Sequence, residues 1–301
     1  MPIVIDKNIP AYSVLRNEHI FVMDKERAVS QDIRPIEIAI LNLMPTKTET
    51  ETQFMRLLSD SPLQVNISLS HTQSYRSKNT DAAYLDRFYV PFEQIKDRHF
   101  DGMIVTGAPV EDLPFSEVAY WQELKTLFDF TRTNVTSTIF ICWGAMAALN
   151  YFYGIEKIAL PQKLFGVFAH KKTATDGNDP LMRGISDVFH ICHSRHSTVR
   201  LSDVKKQNNL KILATSARAG VSIVSSLDDK EIFVLGHMEY DRDTLKKEYE
   251  RDLAKGLPIS KPHSYFADRS CKKINMNWTS TANLLYNNWL NFVYQTTPYR
   301  L

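Results

Sequence analysis

Residues 139–146, Ile139-Phe-Ile-Cys-Trp-Gly-Ala-Met146, decide the fold and much of the chemistry. They predict a buried strand over 138–141, a tight turn at Cys142 and a helix rich in small residues over 144–153. A strand-turn-helix of this kind raises a nucleophile above the sheet, at the positive end of a helix where a thiol pKa falls. Cys142 is therefore a candidate nucleophile, and the Trp143 N–H is a candidate oxyanion donor.

A second segment supplies the partners that a catalytic thiol needs. In Phe233-Val-Leu-Gly-His-Met-Glu-Tyr240 an apolar strand ends at Gly236, followed by His237 and Glu239. Residues i and i+2 after a strand project from one side. A histidine there accepts the thiol proton and a carboxylate orients its ring. An isolated buried cysteine is more often inert, but the two segments together predict a Cys142–His237–Glu239 triad.

Apolar runs alternate with helical periodicity through the first half of the chain. Apolar runs predict buried strands at 36–44, 102–106 and 138–141, and an alternating pattern predicts another strand at 63–69. Helices are predicted between them at 48–58 and 117–131. This order predicts an α/β fold with a mostly parallel sheet flanked by helices. The second half predicts β-hairpins over 210–235, irregular chain over 258–276, and helices over 243–255 and 281–294. We expect residues 1–35 to form an irregular N-terminal arm packed on one α/β domain of residues 36–301.

Composition excludes several classes of protein. The formal charge of +2 gives no reason to expect nucleic acid or an anionic membrane as a partner. No apolar stretch approaches the ~20 residues of a membrane helix, and the N-terminus lacks a signal-peptide pattern. The three cysteines, Cys142, Cys192 and Cys271, are too few and too scattered for a disulfide framework, which favours the cytoplasm.

Nearly the whole chain resembles the homoserine O-acyltransferases, which share the flavodoxin-like fold of class I glutamine amidotransferases. The resemblance is carried by motifs whose order and spacing are specific together: Leu41-Asn-Leu-Met-Pro45, Thr106-Gly-Ala-Pro109, Phe140-Ile-Cys-Trp-Gly144, His193-Ser-Arg195, Gly236-His-x-Glu-Tyr-Asp241 and Glu248-Tyr-x-Arg-Asp252. It implies a ping-pong reaction in which Cys142 takes an acyl group from acyl-coenzyme A and passes it to the hydroxyl of L-homoserine, a step of methionine biosynthesis.

The resemblance also implies roles for other residues. Lys163, Ser194 and Arg251 are expected to contact the amino-acid substrate, and an arginine fork suits its carboxylate. Lys47, just after the strand end at Met44, is an auxiliary candidate at the acyl-transfer site. Acetyl-coenzyme A is expected as co-substrate with no prosthetic group or metal, and the family suggests a homodimer.

Glu111, on the loop after Thr106-Gly-Ala-Pro109, is the candidate selector of the acyl donor. In the family that this chain resembles, a carboxylate at this position goes with acetyl transfer and a glycine with succinyl transfer. A glutamate would fill the space of a longer acyl chain and repel the carboxylate of succinate. We therefore expect acetyl rather than succinyl transfer.

Three alternatives stay open at this stage, and a fourth, a zinc site, is disfavoured. Succinyl transfer would use the same machinery, and serine could replace homoserine because the two differ by one methylene. A glutamine-hydrolysing or other cysteine hydrolase would use the same triad. His190, Cys192, Ser194 and His196 would share one face of a strand and include metal-ligand types, but a closed zinc site needs four ligands and no second pair is suitably spaced.

Overall fold

The computed structural model describes residues 3–18, 22–28, 34–74, 80–173 and 179–298. Within them one mixed sheet contains twelve strands: β1 (Ile3–Val4), β2 (Val22–Met23), β3 (Ile36–Leu41), β4 (Val65–His71), β5 (Tyr89–Pro91), β6 (Phe100–Val105), β7 (Val135–Ile141), β8 (Lys157–Lys172), β9 (Val188–Val199), β10 (Leu210–Ser216), β11 (Gly220–Ser226) and β12 (Glu231–Val234).

The helices in these ranges are α1 (Pro10–Asn17), α2 (Lys25–Ala28), α3 (Lys47–Ser59), α4 (Ala82–Phe88), α5 (Trp121–Asn134), α6 (Trp143–Tyr153), α7 (Leu201–Lys205), α8 (Thr244–Ala254) and α9 (Thr279–Thr296). Short 3-10 turns lie at Phe92–Gln94, Phe115–Glu117 and Pro180–Met182. The predicted helices therefore exist, with ends that differ from the predicted ones by a few residues. The largest such difference is at α5, which begins at Trp121 after a separate turn.

The strand order is β2-β1-β4-β3-β6-β7-β12-β11-β10-β8-β9, with β5 beside β4. Strands from β2 to β12 in this order pair in parallel, and those from β12 to β9 pair antiparallel. The carboxyl ends of β3, β6, β7 and β12 meet at one edge, where open α/β sheets bind ligands. The predicted α/β class with a mostly parallel central sheet is confirmed.

Helices cover both faces of the parallel half. The core on one face includes residues of α1, α3 and α9, and the core on the other includes residues of α5 and α6. Trp289 of α9 packs directly on β6, because a β-carbon on Gly102 would lie 2.8 Å from its ring. The indole N–H of Trp289 also donates to Ser137 Oγ at 3.0 Å. The sheet is therefore buried on both sides, which explains its nearly continuous apolar strands.

The prediction that the N-terminal segment is irregular was wrong. Its described residues include the strands β1 and β2 and the helices α1 and α2, and β1 pairs in parallel with β4. Pro10 occupies the first turn of α1, which a proline favours, and Ala11 and Leu15 are buried. The apolar triplet Ile3-Val4-Ile5 was the signal for a strand, and Ile3 and Val4 pair in parallel with both β2 and β4. The division at residue 35 stays a prediction.

The long hairpin of β8 and β9 was not predicted. Pro161 and Gly166 interrupt the β8 sequence, and both residues argue against a central strand. The structure places Pro161 within a break in the ladder between Ala159 and Leu164. Gly166 has φ of 135°, and a β-carbon there would lie 2.2 Å from the His263 backbone N. The absent side chain therefore lets the irregular segment after α8 pair with β8, through Val167 N–H and His263 O at 2.7 Å.

Candidate active site

Cys142 lies at the turn between β7 and α6. Its φ of 49° is in the left-handed region that non-glycine residues rarely adopt, and its N–H donates to Val234 O at 2.7 Å. Gly144 allows the first turn of α6 to approach β6, since a β-carbon there would be 2.6 Å from Thr106 O. A strained backbone such as that of Cys142 persists only where the surrounding structure enforces it, and such residues cluster at functional sites. The predicted nucleophile elbow is present.

His237 and Glu239 follow β12, the strand beside β7. His237 Nδ1 lies 2.6 Å from Glu239 Oε1, and both side chains are buried. The Cys142 thiol is close enough to the ring to raise its pKa; because Nδ1 faces Glu239, the nitrogen available to the thiol is Nε2. Tyr240 stacks on the imidazole with ring centroids 4.2 Å apart, and His237 N–H donates to Cys192 O at 2.8 Å. The structure brings the three predicted residues together in the order Cys142, His237, Glu239.

The electrostatics of this group favour a charged imidazole. Burial alone would lower the pKa of His237, but the neighbouring Glu239 and Cys142 raise it well above its usual value. Glu239 Oε2 is buried and has no hydrogen-bond partner among the described residues. An unpaired buried carboxylate oxygen is costly and is typical of a functional site. The arrangement can therefore hold a thiolate–imidazolium pair out of water.

Gly107, after β6, keeps the space beside the sulfur open. A β-carbon built on it would lie 3.3 Å from Cys142 Cβ and 3.7 Å from His237 Cε1. Trp143 begins α6 directly after the nucleophile. The first N–H of a helix has no acceptor within the helix, so that of Trp143 is oriented for an external oxygen.

The three residues expected to bind the amino acid lie in one cluster, joined by two carboxylates. Glu248 Oε1 is 2.6 Å from Lys163 Nζ and accepts from Ser194 Oγ at 2.7 Å. Asp252 is 3.3 Å from Lys163 Nζ, and its Oδ1 is 2.7 Å from Arg251 Nη2. Glu248 and Asp252 lie within the Glu248-Tyr-x-Arg-Asp252 motif, but the motif alone did not indicate a role for either carboxylate. Their spacing of four residues, one turn of α8, was the signal that both face the same side.

A backbone bridge and an electrostatic effect relate this cluster to the triad. Ser194 lies two residues after Cys192 on β9, and Cys192 pairs with His237 across an isolated bridge. Tyr240, stacked on His237, has its pKa raised by burial first and then by the nearby carboxylate of Glu248. β9 is the last strand in the strand order, so this bridge shows that the antiparallel half of the sheet curves until β9 reaches the end of β12. Sequence patterns could not predict this contact between β9 and the segment after β12.

Lys47 lies at the start of α3, in the wall of a cavity of about 480 Å³. The cavity is bounded by the segment after β3 and by residues 109–120 after Gly107. Lys47 Nζ donates to Asn42 O at 2.6 Å and lies 5.4 Å from the centre of the Tyr89 ring. Burial lowers its pKa to about 8, against an opposing effect of Glu51. The structure thus places Lys47 in the wall of a cavity whose lining contains none of the triad residues, with its hydrogen bonds directed to backbone carbonyls.

The carboxylate of Glu111 is hydrogen-bonded to β9 and does not extend freely into solvent. Its Oε2 accepts from the N–H groups of His196 and Ser197 at 2.8 and 3.0 Å, and from Ser197 Oγ at 2.9 Å. Lys157 Nζ donates to the Glu111 carbonyl. The loop after β6 is therefore fastened to β9 through the carboxylate of the expected donor selector.

The histidine side chains of the histidine-rich stretch of β9 lie in different environments. His193 is fully buried and its Nε2 lies 3.1 Å from His170 Nε2, whereas His196 is exposed. Burial lowers the pKa of His193 well below its usual value, and the adjacent Arg195 lowers it further. Among the described residues no three His, Cys, Asp or Glu side chains are grouped so that they could hold a metal ion.

Comparison with known proteins identifies relatives over the whole chain. A family model described as homoserine O-succinyltransferase matches residues 2–299. A homoserine O-acetyltransferase of Geobacillus sp. (strain WCH70) is 55% identical over 301 residues, covering 99% of each chain. Proteins of the same name from Methanomethylophilus alvi, covering 99% of this chain and 97% of that one, and from Clostridium acetobutylicum, covering 100% of both, are each 54% identical. The family resemblance drawn from the motifs is confirmed.

Solved structures confirm the fold independently. A glutamine amidotransferase from Methylobacillus flagellatus has a TM-score of 0.54 at 11% identity, covering 87% of this chain and 96% of that one. A glutamine amidotransferase from Thermotoga maritima has a TM-score of 0.53 at 12% identity, covering 86% and 99%. At such low identity the likeness establishes the shared architecture alone. In the described residues, no helix combines the length and apolar character needed to span a bilayer.

Proposed function

Since the chain belongs to the homoserine O-acyltransferase family, we propose that it transfers the acetyl group of acetyl-coenzyme A to the hydroxyl of L-homoserine, giving O-acetyl-L-homoserine. The observation that carries this proposal is the buried line of Cys142, His237 and Glu239 at the carboxyl ends of β7 and β12. A thiol, a base and an orienting carboxylate in this order are the groups that acyl transfer through a thioester requires.

In the first half-reaction the Cys142 thiolate attacks the thioester carbonyl. The Trp143 N–H stabilises the oxyanion, and coenzyme A leaves as its thiol with the proton from His237. In the second half-reaction His237 Nε2 accepts the proton of the homoserine hydroxyl, whose oxygen attacks the acyl-cysteine. The Cys142 thiolate is then released. Glu239 holds the ring through Nδ1 and stabilises the imidazolium in both steps.

The charged cluster beside the triad suits an amino-acid zwitterion. Homoserine has one ammonium and one carboxylate, and the cluster contains groups of both signs. We assign the carboxylate of homoserine to Arg251 and Lys163, because an arginine fork binds it with two hydrogen bonds. Its ammonium goes to Glu248, with Ser194 fixing that carboxylate at 2.7 Å.

The choice of acetyl rests on Glu111 and on the names of the relatives. The three hydrogen bonds to β9 hold the Glu111 side chain between the loop after β6 and the strand. This fixed position supports the proposal that Glu111 occupies the space that a longer acyl group would need. The relatives at 54–55% identity are named as acetyltransferases, although the family model is described as a succinyltransferase. We also propose a cytoplasmic homodimer that needs no prosthetic group.

A donor–acceptor matrix tests the proposal. Acetyl- and succinyl-coenzyme A are each assayed with homoserine and with serine, and release of the coenzyme A thiol is followed. The pair of acetyl-coenzyme A and homoserine should give the highest kcat/KM, with serine poorer by about 10- to 200-fold for one missing methylene. A higher value with succinyl-coenzyme A would replace acetyl by succinyl. Ammonia release from glutamine would instead indicate a hydrolytic amidotransferase.

A further inference from the structure

The imidazole of His237 is stacked face to face on an aromatic ring. The centroid of the Tyr240 ring lies 4.2 Å from that of the imidazole, and the two planes differ by 10°. The other printed contact of the ring is the 2.6 Å hydrogen bond between its Nδ1 and Glu239 Oε1. A hydrogen bond at one nitrogen fixes a point of the ring and leaves the ring free to tilt about that bond. A parallel aromatic face removes this freedom, so the two contacts together fix the direction of Nε2.

Buried neighbours hold Tyr240 in its place. Its carbonyl oxygen accepts a hydrogen bond from Trp278 Nε1 at 2.9 Å, and Trp278 is fully buried directly before α9. Tyr265, also fully buried, stacks on Trp278 with ring centroids 6.2 Å apart, and its hydroxyl donates to the carbonyl of Arg242. These contacts come from the segment after α8 and from the start of α9. The ring that faces His237 is therefore fixed by elements that contain no triad residue.

The stack also bears on the charge of the base. The face of an aromatic ring is negative, and it attracts a cation more strongly where water is excluded. His237 is 3% exposed and Tyr240 is 9% exposed. The imidazole is positive in the thiolate–imidazolium pair, and again after it has accepted the proton of the homoserine hydroxyl. The Tyr240 face therefore favours the charged form of the base over the neutral form.

We infer that Tyr240 is a positioning residue for the base: its ring face fixes the plane of the His237 imidazole and stabilises the imidazolium that forms in each half-reaction. The inference rests on the proposed acyl transfer. It assigns the role to the aromatic face and not to the hydroxyl. Burial and then the nearby Glu248 raise the pKa of Tyr240 well above its usual value, so the hydroxyl stays neutral. Phenylalanine should therefore replace Tyr240, and an aliphatic residue should not.

The titratable groups around His237 come from three elements. Glu239 follows it in the chain, Cys142 lies at the elbow before α6, and β9 contributes His193 and Cys192. Burial lowers the pKa of His193 and raises that of Cys192, each far from its usual value, so both stay neutral where His237 titrates. Acylation removes the charge of Cys142. In the acyl-enzyme, the acid limb of deacylation therefore reports His237 under the influence of Glu239 and of the stacked ring.

The first experiment compares Tyr240→Phe with Tyr240→Leu in single-turnover deacylation of the acetylated protein by homoserine across pH. Phenylalanine keeps the face, so the maximal rate should stay within about threefold of the native rate and the acid limb should not move. Leucine removes the face, so the rate should fall by about 10- to 100-fold because the base is less well oriented. The His237 pKa should also fall, which moves the acid limb to lower pH by about half to one unit.

The homoserine concentration that gives half the maximal rate separates this role from substrate binding. It should change by less than about threefold in both variants, because the stack acts on the base and not on the amino acid. Equal losses of rate in Tyr240→Phe and Tyr240→Leu would overturn the inference. A change confined to the half-saturating homoserine concentration would overturn it as well.

Phe130→Leu is the matched control for loss of stability. Phe130 is a buried ring on α5, in a different apolar cluster from Tyr240. Its replacement should lower the Tm, as Tyr240→Leu should, and should leave the acid limb at its native position. An equal shift of the acid limb in Phe130→Leu and Tyr240→Leu would show that general destabilisation moves the limb, and it would overturn the role of the stack.

The second experiment does not depend on turnover. Position 240 carries phenylalanine or its mono-, di- and trifluorinated forms, whose faces are progressively less negative at nearly constant shape. The His237 pKa is measured in the Cys142→Ala background by NMR of isotope-labelled histidine, with the resonance assigned by its loss in His237→Gln. The pKa should fall with each added fluorine. A pKa that does not respond to fluorination would overturn the inference. Absence of acetyl transfer to homoserine by the native protein would instead refute the proposed function and leave this titration unaffected.

Discussion

Glu239 Oε1 lies 2.6 Å from His237 Nδ1, in a site where both side chains are almost fully buried. A carboxylate at that distance fixes the tautomer of the ring and directs Nε2 toward Cys142. It also stabilises the imidazolium, and for this reason the His237 pKa is well above its usual value despite the burial that opposes it. The pair therefore determines both the orientation and the protonation of the base.

The pH dependence of the second half-reaction should report this relationship. Homoserine attack needs neutral His237, so the rate falls as pH decreases through the pKa of the ring. Because Glu239 raises that pKa, Glu239→Gln should lower it, and the acid limb should move to lower pH. The maximal rate should fall by about 100-fold, because the ring loses its orienting partner. Single-turnover deacylation of acetylated protein by homoserine, measured across pH, provides the test. An acid limb that stays in place would show that Glu239 does not act on His237.

Arg251 should determine affinity for the amino acid and not for the acyl donor. Its Nη2 is 2.7 Å from Asp252 Oδ1, and its side chain is 55% exposed at the rim of the cluster. Arg251→Lys keeps the charge and loses the fork, so the homoserine KM should rise by about 10- to 100-fold. Acylation of Cys142 by acetyl-coenzyme A should change little. Lys255→Ala, an exposed cation at the end of the same helix, is the matched control. A homoserine KM unaffected in Arg251→Ala would place the substrate carboxylate elsewhere.

Gly107 should be sensitive to the addition of one carbon. A β-carbon there would be 3.3 Å from Cys142 Cβ and 3.7 Å from His237 Cε1. Gly107→Ala must therefore displace the nucleophile by a few tenths of an ångström, which should slow acylation by about tenfold. The Tm should change little, because the added methyl group enters the site and not the sheet. A stopped-flow measurement of the acylation burst compares the two proteins. Normal burst kinetics would mean that the loop gives way instead of the thiol.

The candidate catalytic residues at the strand ends could be predicted from the sequence, because each lies directly beside its strand in the chain. Cys142 and the pair His237 and Glu239 each follow an apolar strand directly, and the carboxyl ends of parallel strands meet at one edge. Lys163, Ser194 and Arg251 came from family resemblance alone. Their grouping depends on the β8–β9 hairpin. That hairpin was not predicted, because Pro161 and Gly166 are residues that argue against a strand.

The contacts of Glu111 could not be predicted for a different reason. The expected role needed only the volume and charge of the side chain, whereas the observed hydrogen bonds depend on the backbone amides of His196 and Ser197, beside a break in the β8–β9 ladder. The type of a residue does not show whether its backbone N–H is free to donate a hydrogen bond to a side chain. The same limit applies to Arg195, whose hydrogen bonds go mostly to carbonyl groups.

The most direct test of the account is the mass of the protein after mixing with acetyl-coenzyme A in the absence of an acceptor. The elbow at Cys142 and the nearby His237–Glu239 pair predict one added acetyl group, located on Cys142 by peptide mapping and removed when homoserine is added. Cys142→Ala should show no addition and no turnover, and Cys192→Ala should still be acetylated, because Cys192 is fully buried on β9. An acetyl group on another residue, or normal turnover by Cys142→Ala, would contradict the acyl-cysteine mechanism.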